Sequence, residues 1–278
     1  MAKAENVLGS QVGPLFFPVE GQPLAAPEIR LGDAVRVAVN SVSVMQKVAL
    51  VTSARTGLTW RLASDEGAYL DGDDEAPCPL SFFSTGMVAS TMNEILALAR
   101  QRGIAITHIR LVQDNFYTMK GSALKGTMTG GARDVALEAQ IESDADASVL
   151  QGLVNDAIAA SPVTGLLRRA TESRFLLSHN GEGIELAKAH AVEEPELDDA
   201  SGSFSGVAAR SGDWGGLIRR LDRMTPENEN TATYAGGSLA EEQDRLLHVR
   251  VFCTLRADGV KEITQYLYNP HAVRSHPI

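Results

Sequence analysis

Residues 80–103 read LSFFSTGMVASTMNEILALARQRG, and this stretch decides how the rest of the chain is arranged. Apolar or small residues at 82, 83, 86–89, 95, 96, 98 and 99 predict a mostly buried helix of about six turns. Arg100 and Arg102 place cations where the carbonyl end of a helix favours them, and Gly103 supplies the stop. Gly86, Ser90, Asn93 and Ala97 follow at spacings of four, three and four, so they share one face. A stripe of such small side chains lets another helix approach closely.

On the N-terminal side, residues 1–34 carry prolines at 14, 18, 23 and 27 and show no sustained period, so they read as an irregular lead-in. Val35 to Val39, Lys47 to Thr52 (KVALVT) and Leu58 to Leu62 (LTWRL) read as strands. Asp65-Glu66-Gly67 supplies a turn, and residues 70–79 form a polar, proline-bounded loop. On the C-terminal side, three strands are expected at Ile104 to Gln113, Tyr117 to Met128 in part, and Val135 to Ile141. Gly121 and Gly126 weaken the second. Asp144 and Asp146 open a helix over Ala147 to Ala160, which Ser161-Pro162 interrupts, because proline cannot continue the hydrogen-bond ladder. Val163 to Thr171 continues as helix, with a strand near Phe175 to Leu177. Residues 191–206 (AVEEPELDDASGSFSG) are acidic and aperiodic, a long loop or linker. Trp214 to Met224 is readable as a short amphipathic helix. His248 to Leu255 and Glu262 to Tyr268 alternate around Ala257-Asp258-Gly259, a hairpin signal.

Bulk composition narrows the function. The chain has 278 residues, 44% hydrophobic and 22% charged, enough for one large domain or a medium domain with an elaboration. Its formal charge of −10 argues against a nucleic-acid partner, which needs a positive footprint. No run approaches the ~18 apolar residues of a membrane span. Met1 to Gln11 lacks the basic-then-apolar pattern of a secretory leader, so a cytoplasmic location is expected. Cys78 and Cys253 are the two cysteines, expected as reduced thiols. The six histidines (108, 179, 190, 248, 271 and 276) fall in no metal-binding spacing, so neither a metal nor another cofactor is expected. His179 is the one to test first as a base. Gly130-Gly131 and Gly236-Gly237 lack the context of a phosphate loop, and G-x-S-x-G does not occur.

The order of elements, strands, a long buried helix, strands, then a helix broken at X-Pro-Val, resembles the OsmC/Ohr family of osmotically induced proteins and organic hydroperoxide reductases. In that family a proline opens the central helix and a cysteine follows eleven residues later. Here the proline is Pro79 and the eleventh residue after it is Ser90. The family's second cysteine lies in a Cys-Pro-Val motif, and here the matching residues are Ser161-Pro162-Val163, followed by Leu166 and Leu167. The resemblance covers roughly residues 35–186, leaving 1–34 as an N-terminal extension and 187–278 as a C-terminal one. It implies an α+β fold with two central helices against antiparallel sheets, and an intertwined homodimer with its sites at the subunit interface.

The departures matter for chemistry. The family's reductases place a glutamate after the helix-opening proline, where this chain has Leu80. Their redox cycle needs a thiolate, a sulfenate and a disulfide, and a serine hydroxyl supplies none of these. One reading keeps a pocket in which Ser90, Asn93 and Glu94 act on a small organic molecule by hydrolysis or proton transfer, with Glu94 as acid or base. Ser161, Met87, Phe83 and Arg55 would line that pocket. Arg55 and Arg61 both flank an early strand and are candidates for an anionic group. A second reading is a non-catalytic protein that binds a hydrophobic ligand or serves as an interaction module. In it Ser90 fills a cysteine-sized gap, Glu94 faces solvent and Ser161 is an ordinary helix cap. A third makes Cys78 a peroxidatic thiol, its pKa lowered by the helix N-terminus behind it. Beside it stands the plain alternative of two structural thiols, Cys253 facing a core with Val249 and Val251.

Overall fold

The computed structural model describes residues 5–29, 32–67, 72–122, 125–168, 172–186, 190–191, 200–220, 243–268 and 276–277. Of the sequence features read above, His271, Gly236-Gly237, residues 192–199 of the acidic linker and 221–224 of the short helix lie outside them.

The proline-rich lead-in is tied down by polar side chains. Asn6 caps a single helical turn, α1 (Val7–Ser10), by accepting the Gly9 N–H at 2.8 Å. The buried Gln46 amide donates to Asn6 Oδ1 and Asp65 Oδ2 and accepts the Leu8 N–H. Arg61, also buried, donates to the Leu15 carbonyl and to Gln11 Oε1 and lies 5.4 Å from the Phe17 ring centre. Its burial, with neutral acceptors, lowers its pKa. β1 (Phe17–Pro18) then pairs with β4 (Thr59–Ser64), which continues through β3 (Lys47–Ser53) to β2 (Val35–Ser41) in one antiparallel sheet. Residues 204–214 return to this sheet, where Phe204, Ala209 and Trp214 pack against Phe17, Val19, Leu24 and Leu50.

The loop out of β4 is organised by one carboxylate. Asp65 is fully buried and accepts the N–H groups of Glu66, Asp73 and Glu75 as well as the Gln46 amide. It delivers the chain to α2 (Pro79–Arg102), with Pro79 at the first helical position, where its missing N–H costs nothing. Gly103 ends the helix in the left-handed conformation at φ 66°, its N–H turned back to the last carbonyls.

β5 (His108–Gly121) differs from expectation. The two strands anticipated on either side of residue 115 are one strand of fourteen residues, since nothing between Gln113 and Tyr117 breaks the alternation. The break comes at Gly121, with φ 101°, where a Cβ would stand 2.2 Å from the Thr127 carbonyl oxygen. β6 (Thr129–Ala132) and β7 (Ala136–Glu142) pair with successive halves of one edge of β5. α3 (Ala147–Ala160) and α4 (Pro162–Arg168) are separated at Ser161, as the proline requires. Short strands follow: β8 (Arg174–Phe175), β9 (Leu177–His179), β10 (Glu182–Ile184) and β11 (His190–Ala191). Residues 214–220 form turns, because Gly215 and Gly216 disfavour the amphipathic helix read there.

β12 (Gln243–Leu255) and β13 (Lys261–Tyr268) form the expected hairpin, and β14 (His276–Pro277) pairs with β13. The hairpin is inserted into the main sheet. β12 pairs along the other edge of β5 over twelve positions, from Gln243↔Gly121 to Thr254↔Arg110. Val249, Val251 and Cys253 therefore face the same core as Ile109 and Leu111, and all five are fully buried with Val88, Met92 and Ile95 of α2. The architecture is mixed α+β with antiparallel sheets and few helices.

A chain cut after residue 186 should consequently lose cooperative unfolding, because one wall of the α2 core is removed. Near-UV circular dichroism during thermal unfolding checks this. A sharp transition at the full-length temperature would contradict the packing.

Candidate functional site

α2 is buried along Ser81, Ser84, Met87, Val88, Thr91, Met92, Ile95 and Ala99, a stripe at three- and four-residue spacing. Its C-terminal half meets the apolar core. Its N-terminal half meets a polar one, contributed by the inward side of β5. Gln113 Nε2 donates to Asn115 Oδ1 at 2.7 Å, Asn115 Nδ2 to Met87 Sδ at 3.6 Å, and the hydroxyls of Ser84 and Tyr117 are 2.8 Å apart. Burial raises the Tyr117 pKa against the hydrogen bond with Ser84, so the phenol stays protonated.

The decisive pair lies on the next face of the helix. Ser90 Oγ and Ser161 Oγ are 3.0 Å apart, joining the middle of α2 to the break between α3 and α4. Ser161 is 1% exposed and also accepts the Thr164 N–H at 3.2 Å, so it caps α4 while bonding to Ser90. The helix-cap role is present in this hydroxyl. Pro162 starts α4, and Ser161 lies at the junction in an extended conformation (φ −62°, ψ 117°), its N–H bonded to the Ala157 carbonyl and its own carbonyl to the Gly165 N–H.

The other sequence candidates are placed as follows. Glu94 is half-buried one turn from Ser90 and no side-chain hydrogen bond joins the two; Asn93 is exposed. Met87 is buried against Asn115, and Phe83 is half-buried on α2. Arg55 sits in the turn between β3 and β4, 70% exposed, and pairs with Asp33 at 3.3 Å. Arg61 is occupied by the lead-in. His179 is exposed and bonded to the neighbouring Asn180. The structure therefore brings together Ser90 and Ser161, and holds Arg55 on the other sheet. Arg168 Nη2 donates to the Ser161 carbonyl at 3.4 Å; among the described residues, no hydrogen bond gives either serine hydroxyl a histidine, arginine or carboxylate partner.

Cys78 corrects a sequence expectation. It is the residue before α2, yet its thiol pKa is raised, first by burial and then by Glu66, against the hydrogen bond to Ser81 at 3.2 Å. Desolvation outweighs the helix dipole there. Cys253 is pushed up to about 11 by burial, with Lys261 pulling the other way. The two thiols are free and buried.

A further polar cluster was missed in the sequence. On the outer face of the sheet, Asp114 accepts Arg250 Nε at 2.7 Å and Arg250 Nη2 at 2.9 Å and lies 2.5 Å from His248 Nε2, while His248 stacks on Phe116. Arg250 stands directly across from Asp114 in the β5–β12 register, so the pair depends on an alignment of strands 136 residues apart. Burial alone would raise the Asp114 pKa, but the hydrogen bonds from Arg250 and His248 outweigh it and hold the carboxyl below its usual range. Among the described residues no group of three or more metal-binding side chains converges, and no helix is long and apolar enough to cross a membrane.

No family model matches the sequence, and no curated protein is similar to it at a significant level. Two solved structures are similar in part. One is an OsmC-like hydroperoxide resistance protein from Jannaschia sp. CCS1, 19% identical with a TM-score of 0.36, covering 55% of this chain and 97% of that one. The other is an osmotic stress induced and detoxification response protein from Psychrobacter arcticus 273-4, 16% identical with a TM-score of 0.33, covering 46% and 85%. At scores this low, neither decides anything about the chemistry of this chain.

Asp114 gives a signed prediction. Its folded pKa lies below its usual value of 3.8, so its contribution is full above about pH 4 and fades as the pH falls through the folded value. Asp114→Asn should cost about 1–3 kcal/mol at pH 6 and much less at pH 3. Urea midpoints at the two pH values measure it, and an equal loss at both would refute the assignment.

Proposed function

We propose that this chain is an OsmC-like protein whose helix pair holds hydroxyls where the family's chemistry needs thiols, and that it binds a small organic molecule without reducing hydroperoxides. The observation that carries the reading is the 3.0 Å contact between Ser90 and Ser161. One position follows Pro79 by eleven residues and the other opens a Ser-Pro-Val motif 71 residues further on. A contact between two positions that both match the family's cysteines supports that correspondence.

Turnover by hydrolysis or proton transfer would require a base to take the serine proton. The Ser90 hydroxyl hydrogen-bonds to Ser161 alone, the Ser161 hydroxyl also caps α4, and Arg168 reaches the Ser161 carbonyl rather than either hydroxyl. Glu94 makes no bond to either. These contacts favour the binding role over the catalytic one. The thiol route through Cys78 meets a buried sulfur with a raised pKa, the opposite of an activated nucleophile.

An intertwined homodimer fits the surface. Gly86, Asn93 and Ala97 lie exposed along α2, and Val149, Leu166, Leu167, Phe175 and Leu177 are 40–54% exposed on α3, α4 and the strands after them. Apolar area of this kind, adjoining a stripe of small residues, marks a surface that a second copy would cover.

The test is a peroxidase assay with cumene hydroperoxide and a dithiol. Consumption should not exceed the protein-free rate, and the thiol titre after denaturation should stay at two per chain. Turnover abolished by Cys78→Ser would overturn the proposal in favour of the thiol route. Ester hydrolysis abolished by Ser90→Ala would overturn it in favour of a serine hydrolase.

A further inference from the structure

A cavity of about 870 Å³, which neither Ser90 nor Ser161 lines, opens between the lead-in, the first turns of α2, residues 212–220 and β13. Most of its wall comes from parts of the chain outside the stretch that resembles the family. Its size falls in the ~300–1,000 Å³ range of small-molecule sites.

One side is aromatic and fixed. Phe16 and Phe82 pack with ring centres 6.4 Å apart. Trp214 is held edge-on to Trp60 at 6.1 Å and donates its indole N–H to the Arg210 carbonyl at 2.8 Å, so its ring is locked in orientation. Ile263 of β13 extends the apolar wall.

The lining also carries three cations, Arg219, Arg220 and Lys261, against two carboxylates, in a chain whose net charge is −10. Arg220 is paired with Asp74 at 3.2 Å. Arg219 and Lys261 have no ion-pair partner among the described residues. The lining carboxylates are engaged already, Glu75 accepting from Asn6 Nδ2 and Asp213 from the Gly215 N–H. Two lining residues also leave polar atoms unsatisfied. Thr85 Oγ1 and Gln265 Oε1 are buried without a hydrogen-bond partner, a condition that costs about 1–3 kcal/mol per group and that a donor on a bound molecule would relieve. Free cations, a rigid aromatic wall and unsatisfied polar atoms within one cavity define a complementary shape: an apolar body, an anionic head and a hydroxyl.

We propose that this cavity binds a small amphipathic carboxylic acid, its chain against Phe16, Phe82 and Trp214, its carboxylate at Lys261 and Arg219, and a hydroxyl near Thr85 and Gln265. The site is independent of the serine pair, since neither Ser90 nor Ser161 lines it. The reading of the serines therefore stands or falls by its own assay.

Isothermal titration calorimetry on the full chain with decanoate, 10-hydroxydecanoate and decanol tests it. Both acids should bind, the hydroxy acid more tightly, and decanol about tenfold more weakly, the equivalent of ~1.4 kcal/mol. Lys261→Gln should weaken both acids about tenfold and leave decanol unchanged, whereas Lys261→Arg should keep acid binding. Gln265→Leu should erase the preference for the hydroxy acid. A thermal midpoint within a few degrees of the parent shows that each variant is folded. Binding of decanol as tight as decanoate, acid affinity indifferent to Lys261→Gln in a folded variant, or no heat from any of the three would overturn the proposal.

Discussion

The structure depends on how α2 is enclosed. Val88, Met92 and Ile95 are fully buried against Ile109 and Leu111 of β5 and Val249, Val251 and Cys253 of β12. Each such side chain contributes about 1.5–3 kcal/mol through burial. The wall is thus built from strands more than a hundred residues apart in sequence, and the C-terminal hairpin is as much a part of the core as the strand beside the helix. A helix gripped along one stripe has a fixed rotation about its axis. That rotation sets where its remaining faces point, with Ser90 toward the α3–α4 break and Thr85 with Phe82 toward the cavity.

At the α3–α4 break the difference between oxygen and sulfur determines the chemistry. Two hydroxyls 3.0 Å apart make an ordinary hydrogen bond, worth about 1 kcal/mol net. Two thiols at the same positions would be a redox couple. The hydroxyl pair joins two helices at a point where the backbone is interrupted, and Ser161 satisfies the first turn of α4 as well. The sulfurs the chain does possess are kept from compensating by burial, which favours the neutral thiol at both Cys78 and Cys253.

Local signals made much of this legible. Proline at the start and glycine at the end bracketed α2 to within a residue, Ser161-Pro162 marked the boundary between α3 and α4, and Ala257-Asp258-Gly259 marked the last hairpin, because each is dictated by backbone chemistry at that point. The serine positions came from the resemblance to the family, and the contact between them was not read from the sequence. What failed was non-local. The continuity of β5 was lost by dividing it at residues 113–117, and with it the alternation that turns Gln113, Asn115 and Tyr117 inward and Asp114 outward. The Asp114–Arg250–His248 cluster depends on a strand register that no local pattern encodes. The Cys78 thiol was misjudged because its position at the helix start is visible in sequence, whereas its desolvation is not. The large cavity was invisible for the same reason, as its lining comes from five separate segments.

The central claim is that Ser90 and Ser161 occupy a redox pair's positions with the wrong element. The most direct measurement restores sulfur at both in the Ser90→Cys/Ser161→Cys variant and adds one equivalent of cumene hydroperoxide. The two thiols should give a disulfide within one chain, with the peroxide O–O bond cleaved to cumyl alcohol and water, and a dithiol should return the thiols. Mass spectrometry of the tryptic map should show the two introduced cysteines linked to each other, with Cys78 and Cys253 free. If the folded variant keeps both introduced thiols, or links either one to Cys78 instead, the account is contradicted.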